Sequence, residues 1–412
     1  MPFPHKMVSF LAFLFSYIYA ILKPAKTQSQ FISAHFLRLS TKEKEIMTHL
    51  FDTKWKMALS GAVFGLLAVL LAITGNPGNM AICIACFVRD TAGALKLHSA
   101  EVVQYFRPEI VGFILGSFLI SLITREYKAT AGSAPLIRFL LGMMMVIGAL
   151  VFLGCPLRMV IRMSAGDLNA YVGLIGFAGG VLTGTFFLKK GFSLGRTYET
   201  KKANGYVLPV LLVFLLILSV TTTLFAVSTS GPGSMHAPVL LSLAAALIIG
   251  AIAQKNRTCF AGGIRDLVLL KDASLLSILG GLFTVLLIYN IANGSFHLSF
   301  TGQPIAHAQH LWNILGLYVV GFSAVLAGGC PFRQLILAGQ GSGDSTVTFL
   351  GMLFGAAVSH NFSLAGAAAK AATDTEAAIA GGPGLNGKVA VILCIIVLFV
   401  IAATQRREPK KA

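Results

Sequence analysis

Four cysteines occur in two duplicated settings. Cys83-Ile-Ala-Cys86-Phe-Val-Arg89-Asp90 and Cys259-Phe-Ala-Gly262-Gly-Ile-Arg265-Asp266 both read Cys-x-Ala-x-x-x-Arg-Asp. Gly154-Cys155-Pro156-Leu-Arg158 and Gly329-Cys330-Pro331-Phe-Arg333 both read Gly-Cys-Pro-x-Arg. The residue types suggest one chemistry. A thiol is a weak donor and a weak acceptor, and beside Arg or a helix N-terminus it turns nucleophilic. Pro156 and Pro331 suit the first turn of a helix, so Cys155 and Cys330 would stand where free N–H groups and the positive dipole end attract an anion. Arginine is costly inside an apolar region and marks a pathway there. Arg89, Arg158, Arg265 and Arg333 therefore read as anion attractors, with Arg162 as a helper. Asp90, Asp266, Asp167 and Asp344 are expected to pair with these arginines, because an unpaired buried charge is expensive. A row of thiols fits an anion with soft sulfur or selenium atoms, whereas ordinary oxyanions favour hydroxyls and amides.

Other readings of the same residues are narrower. Cys83-x-x-Cys86 also has the spacing of a cycling thiol pair or half a metal site. Gly262 stands where a second such pair would need its partner of Cys86, so no metal site is expected. Cys394 reads as a small packing residue. The histidines show no ligand spacing, although His236 and His307 fall in loops that could face a vestibule. No nucleotide-binding P-loop occurs, so transport energy would come from a gradient or from trapping, and no cofactor is implied.

The elements that hold these motifs are membrane helices. Of 412 residues, 56% are hydrophobic and 11% are charged, and the mean hydropathy is +0.81. Soluble domains carry roughly 25% charged residues. A soluble enzyme, a disordered chain and a nucleic-acid-binding domain are thereby excluded, despite a net charge of +17. Ten apolar runs are long enough to span: 57–73, 108–124, 135–154, 169–188, 207–228, 237–255, 273–293, 309–328, 346–366 and 387–404. A further apolar stretch at 7–23 belongs to an N-terminal extension, 1–46, read as an extra helix or a mis-assigned start.

The motifs recur at offsets of 176 residues (83 to 259) and 175 (155 to 330), which divides the chain into repeats at 47–230 and 231–412. Five spans per repeat is an odd number, so the halves must face opposite ways, an arrangement common in transporters. The fold expected is all-α and polytopic, with each cysteine on a short re-entrant helix. Lys and Arg crowd the loops at 124–134 and 189–206 and the tail, while 229–236 and 294–308 contain none. The positive-inside rule then places the C-terminus in the cytoplasm, the first two motifs toward the outside and the last two toward the inside.

At these motifs the chain resembles the YeeE/YedE sulfur-transport family, to which thiosulfate permeases belong, over roughly 57–404. Asn76-Pro-Gly-Asn79-Met-Ala-Ile-Cys83-Ile-Ala-Cys86, Arg107-Pro-Glu109, Gly231-Pro-Gly-Ser-Met-His-Ala-Pro238 and Gly302-Gln-Pro-Ile-Ala-His307 resemble its selenium-metabolism, YedE/FdhT-like branch. The resemblance implies an hourglass-shaped permease of the bacterial inner membrane, in which Cys155, Cys259 and Cys330 contact the passing anion and Cys83 fills the remaining repeat position. It implies a selenium compound as cargo, with thiosulfate as the alternative, and a TusA-like cytoplasmic sulfur or selenium carrier as a partner. Surrounding lipid and the small anion are the remaining partners expected, with no nucleic acid. The proline after Cys155 and Cys330 departs from the small residue usual in thiosulfate permeases. A membrane thiol-redox protein using Cys83 and Cys86 is the reading from another class.

Overall fold

The computed structural model describes residues 54–370 and 379–405. The N-terminal extension 1–46, with its apolar stretch at 7–23, and the basic tail lie outside them. Within the described residues ten long helices alternate with four short ones. The first half contains α1 (Lys54–Ile73), the short α2 (Ile84–Ala94), α3 (Pro108–Ile123), α4 (Pro135–Phe152), the short α5 (Pro156–Ser164), α6 (Leu168–Lys189) and α7 (Lys202–Thr221). The second contains α8 (Val239–Lys255), the short α9 (Phe260–Leu270), α10 (Ser274–Ala292), α11 (His310–Ala327), the short α12 (Pro331–Gly339), α13 (Gly343–Asn361) and α14 (Leu385–Thr404). The order long, short, long, long, short, long, long therefore occurs twice. Among the described residues nine segments are long and apolar enough to cross a membrane. The tenth long helix, α13, carries Asp344, Ser345, Thr348 and Ser359 on its buried surface, and that polarity lowers its hydropathy.

Helix packing follows the duplication. The main pairs are α1 with α10, α3 with α8, α4 with α13, α6 with α11, and α4 with α11. Exchanging the repeats turns the first pair into the second and the third into the fourth, and returns the fifth to itself. This is the signature of a pseudo-twofold axis between two inverted halves. Lipid supplies no hydrophobic force between helices, so close backbone approach through small residues must hold such pairs. Gly176 and Gly180 of α6 lie directly against the backbone carbonyls of Ile314 and Tyr318 in α11, and Gly321 of α11 answers against Phe177. Gly61 of α1 meets Ile278 of α10, and Gly281 meets Ala58 in return.

The loops sort by charge. A two-stranded ribbon, β1 (Thr130–Ala131) against β2 (Tyr198–Glu199), joins the loops after α3 and α6. Lys255 at the end of α8 pairs with Glu126 in the first of these loops at 3.8 Å. Lys128 N–H donates to Gln340 O after α12, and Ser193 N–H donates to Gln405 O after α14. The Lys- and Arg-rich loops and the end of α14 thus share one face. On the other face His297 N–H reaches Ala165 O, Ala226 N–H reaches Ala94 O, and Asn361 Nδ2 donates to Leu97 O. The short helices α2 and α5 end toward this second face, whereas α9 and α12 end toward the basic face. All four begin inside the bundle.

Glycine packing is directly testable. Gly176→Leu forces a side chain into the Ile314 carbonyl and is expected to cost about 1–3 kcal/mol or more. Gly280→Leu points into open space and should be neutral. Thermal unfolding of both variants in detergent, followed by size-exclusion chromatography, measures the contrast.

Candidate functional site

Each short helix has one of the repeated cysteines as its N-cap: Cys83 for α2, Cys155 for α5, Cys259 for α9 and Cys330 for α12. Pro156 and Pro331 occupy the first helical position of α5 and α12, where proline's fixed φ starts a helix and its missing N–H costs nothing. The structure brings the cysteines together in two pairs, one per repeat. Cys83 Sγ lies 3.7 Å from Cys155 Sγ. Cys259 and Cys330 meet side chain to side chain, and Cys259 Sγ accepts from Gly262 N–H at 3.2 Å. In both pairs two helix N-termini face one another with a thiol at each tip. All four are free thiols and buried. The pairs are linked across the repeats by contacts of α2 with α12 and of α5 with α9.

The pairs differ in their surroundings. In the first, Cys86 adds a third thiol 3.1 Å from Cys83, and Arg158 donates to Cys86 Sγ at 3.4 Å. In the second, Phe332, two residues after Cys330, is ringed by Phe113 at 5.4 Å, Phe64 at 6.3 Å and Phe260 at 6.4 Å between ring centroids. That aromatic collar excludes water beside Cys330.

The arginines divide into two groups. Arg89 is held by Asp90 at 2.7 Å, Arg162 by Asp167 at 2.6 Å and Arg265 by Asp266 at 2.8 Å, as the sequence led one to expect. Arg162 also stacks over Phe152 at 4.3 Å, so its charge is absorbed locally. Arg158 and Arg333, the arginines of the two Gly-Cys-Pro-x-Arg motifs, have no carboxylate partner among the described residues. Arg158 is fully buried and is held by neutral oxygens: Asn79 O at 3.0 Å, Asn79 Oδ1 at 2.9 Å, Ile305 O at 3.3 Å and Leu153 O. One terminal nitrogen of Arg333 is buried without any partner. Two positive charges thus stand at matched positions, each three residues after a repeated cysteine and without a carboxylate partner among the described residues.

Two sequence expectations need correction. Asp344 does not serve Arg333; it pairs with Arg138 at 3.4 Å and accepts from the Gly132 N–H at 2.9 Å. Asp344 lies in the first turn of α13 beside the β1 loop, where it meets Arg138 at the start of α4 rather than a residue of α12. His307 does not face a vestibule. It is buried with Nε2 at 2.9 Å from Val151 O, and burial pushes its imidazole down to about 4, so it stays neutral. His236 is exposed and stacks on Tyr105 at 4.0 Å.

Sequence reasoning missed three residues of the site. Arg107, fully buried, donates to Asp90 Oδ2 at 2.8 Å and to Pro232 O at 2.9 Å, which makes Asp90 the counter-ion of two arginines. Asn79 clamps Arg158 and lines a cavity of about 220 Å³ on the face opposite the basic loops, with Asn290, Asn293, Gln303 and Tyr289 around it. Cys86 belongs to the thiol cluster although it has no repeat counterpart. The segments Asn76–Cys86 and Arg107-Pro-Glu109 had been visible as branch-like motifs, and this was the signal available.

Asp90→Asn removes the charge between two buried guanidiniums and should cost about 3–5 kcal/mol. A thermal-shift assay of the purified protein should show a large loss of stability, whereas a small shift would mean that Arg89 and Arg107 find other partners.

The family model described as sulphur transport matches residues 3–157 and 255–412. All four repeated cysteines fall in the matched stretches, and Arg158 lies one residue beyond the first. No curated protein matches the chain.

Proposed function

Because the chain belongs to the sulphur transport family, and so is a multi-pass membrane transporter, we propose that it is an uptake permease for a soft chalcogen-containing dianion. A selenium species, such as selenosulfate or selenite, is the favoured cargo and thiosulfate the alternative. One observation carries this reading. Arg158, fully buried, and Arg333, half-buried with one terminal nitrogen enclosed, have no carboxylate partner among the described residues, and each sits three residues after a cysteine at a helix N-terminus. A dianion placed there meets a guanidinium, the positive end of a helix and a polarizable sulfur inside the bundle, where each interaction is stronger than in water.

The order of contacts follows from the arrangement. The anion collects in the amide-lined cavity, where Asn and Gln side chains replace water. It reaches Arg158 when Asn79 yields its place, passes Cys83 and Cys155, and then passes Cys259 and Cys330 with Arg333. The carboxylates of Asp90 and Asp167 neutralise the flanking arginines Arg89 and Arg162, and Asp266 does the same for Arg265. The first pair of helices opens toward the face without basic loops, so that face is taken as the outside and the end of α14 as cytoplasmic, in the inner membrane of a bacterium. On the cytoplasmic side a TusA-like carrier would accept the cargo.

A redox reading is favoured by one observation, the 3.1 Å approach of Cys83 and Cys86. The two readings separate at Cys330, which redox cycling of Cys83 and Cys86 does not use. Purified protein is reconstituted in vesicles and given a panel of labelled selenite, selenosulfate, thiosulfate and sulfite. Cys155→Ser, Cys330→Ser, Arg158→Gln and Arg333→Gln are each expected to lower uptake roughly ten- to a hundredfold, the scale of a lost hydrogen bond to a charged group. Uptake that survives loss of all four repeated cysteines would sink the thiol pathway. Cys330→Ser with full thiol-oxidation activity and no flux in any protein would favour the redox reading.

A further inference from the structure

Beside the first cysteine pair lies a charge that the anion pathway does not use. Glu109, the second residue of α3, is fully buried. Its Oε1 accepts from Asn76 Nδ2 at 2.8 Å and from Ser242 Oγ of α8 at 3.0 Å. Its Oε2 is buried with no hydrogen-bond partner. The other buried carboxylates, Asp90, Asp167 and Asp344, each have an arginine within 4 Å, whereas Glu109 has no cationic partner among the described residues. Helix α10, which occupies the place of α3 in the second repeat, contains no acidic residue.

We propose that Glu109 is a proton-binding site that couples anion uptake to an inward proton gradient; the coupling rests on the permease reading above. The carboxyl stands at the N-terminal end of α3, fully buried, with one oxygen free of any hydrogen-bond partner. An oxygen with no acceptor duty is where the proton resides.

The titratable and charged groups around Glu109 complete the site. Arg107 precedes it by two residues, but its guanidinium is turned to Asp90 of α2 and to the carbonyls of Pro232 and Met235. Tyr105, four residues before Glu109, stacks on His236, which is exposed on the face taken as the outside. His236 and Tyr105 form the route by which a proton enters. Asn76 and Ser242 are the neutral neighbours from the loop after α1 and from α8.

The same loop connects this proton to the anion. The Asn76 side chain ties Glu109 to Ala81 O at 2.9 Å and to Ala237 N–H at 2.9 Å. Three residues later Asn79 clamps Arg158, and the loop ends at Cys83. The ionised carboxylate holds the Asn76 amide by a charge-assisted hydrogen bond, the stronger kind. Protonation weakens that anchor and frees Asn79 to release Arg158 to the anion. Each turnover carries one proton inward with the dianion and discharges it on the inner side.

The test uses the full chain, wild type and Glu109→Gln. Gln keeps an acceptor for Asn76 and Ser242 but cannot exchange a proton, and Glu109→Asp keeps the carboxyl should the first variant misfold. Infrared difference spectra of the protein in lipid between acid and alkaline pH should show a carboxylic C=O band that Glu109→Gln removes. In vesicles, an inward proton gradient should accelerate uptake of labelled thiosulfate by the wild type and acidify the lumen. Glu109→Gln should lose that acceleration, roughly tenfold or more, and its residual flux should not vary with pH, whereas Glu109→Asp should regain a pH dependence. The proposal is overturned by absence of the band, by gradient-driven accumulation in Glu109→Gln equal to wild type, or by a sodium gradient replacing the proton gradient. If the band is present but no anion of the panel moves in any protein, the permease reading has failed and the coupling with it, while the proton site stands by its spectrum.

Discussion

Taking a guanidinium out of water costs several kcal/mol unless something nearby answers its charge, and much of the interior is arranged around that cost. Asp90 answers Arg89 and Arg107 together, and Asp167 answers Arg162. These networks fix the far ends of α2 and α5. With those ends fixed, the near ends, tipped by Cys83 and Cys155, have a defined separation. Arg158 is the exception that gives the arrangement a purpose. It is fully buried, yet only carbonyls, an amide and a thiol surround it. Neutral dipoles can hold a cation in place without cancelling its charge, so the site stays positive for a ligand.

Duplication supplies the frame but not equal halves. The cross-repeat pairs α1–α10 and α3–α8 exchange under the pseudo-twofold axis, and glycines at their contacts let the backbones touch. Around the cysteines the symmetry is broken. Arg89 is buried, whereas its counterpart Arg265 keeps 30% of its side chain exposed. Cys86 and Arg107 thicken the polar network of the first half, and Phe332 with its three aromatic neighbours lines the second. The surroundings of the two thiol pairs are therefore unequal, hydrogen-bonding around the first and aromatic around the second, although the fold of the halves is the same.

Sequence and structure agree where the information is local or repeated. The Gly-Cys-Pro-x-Arg motif carries its own helix start in the proline, so the positions of α5 and α12 follow from four residues. The odd number of spans fixes the relative orientation of the halves by counting alone. Long-range partners were less legible. Arg107 reaches Asp90 across 17 residues and a turn, and Asn79 reaches Arg158 across 79. Neither pairing has a periodicity to betray it. Asp344 was matched to Arg333 by closeness in sequence, but Asp344 begins a new helix that leans on α4, and so it meets Arg138. Glu109 was visible only as a letter in a motif, since its meaning depends on the absence of a cation that the sequence around it, with Arg107 two residues away, would suggest.

The choice of residue at the four helix tips ties fold to chemistry. An N-cap is ordinarily Ser, Thr, Asp or Asn, whose oxygen accepts from the first turn and stabilises the helix by about 1 kcal/mol over a non-capping residue. Here all four short helices have cysteine at that position, and three of the four thiols make no capping hydrogen bond. The two long helices that follow α5 and α12 show that this chain can cap in the usual way: Asp167 accepts from Asn169 N–H and Ser342 from Ser345 N–H. Cysteine at the inner tips thus forgoes this stabilisation at three of the four helices, and the fourth has only the weaker sulfur acceptor. In the permease reading proposed above, the weaker cap is retained because sulfur, unlike a hydroxyl or carboxylate oxygen, offers a soft, polarizable surface against which a heavy chalcogen would lie.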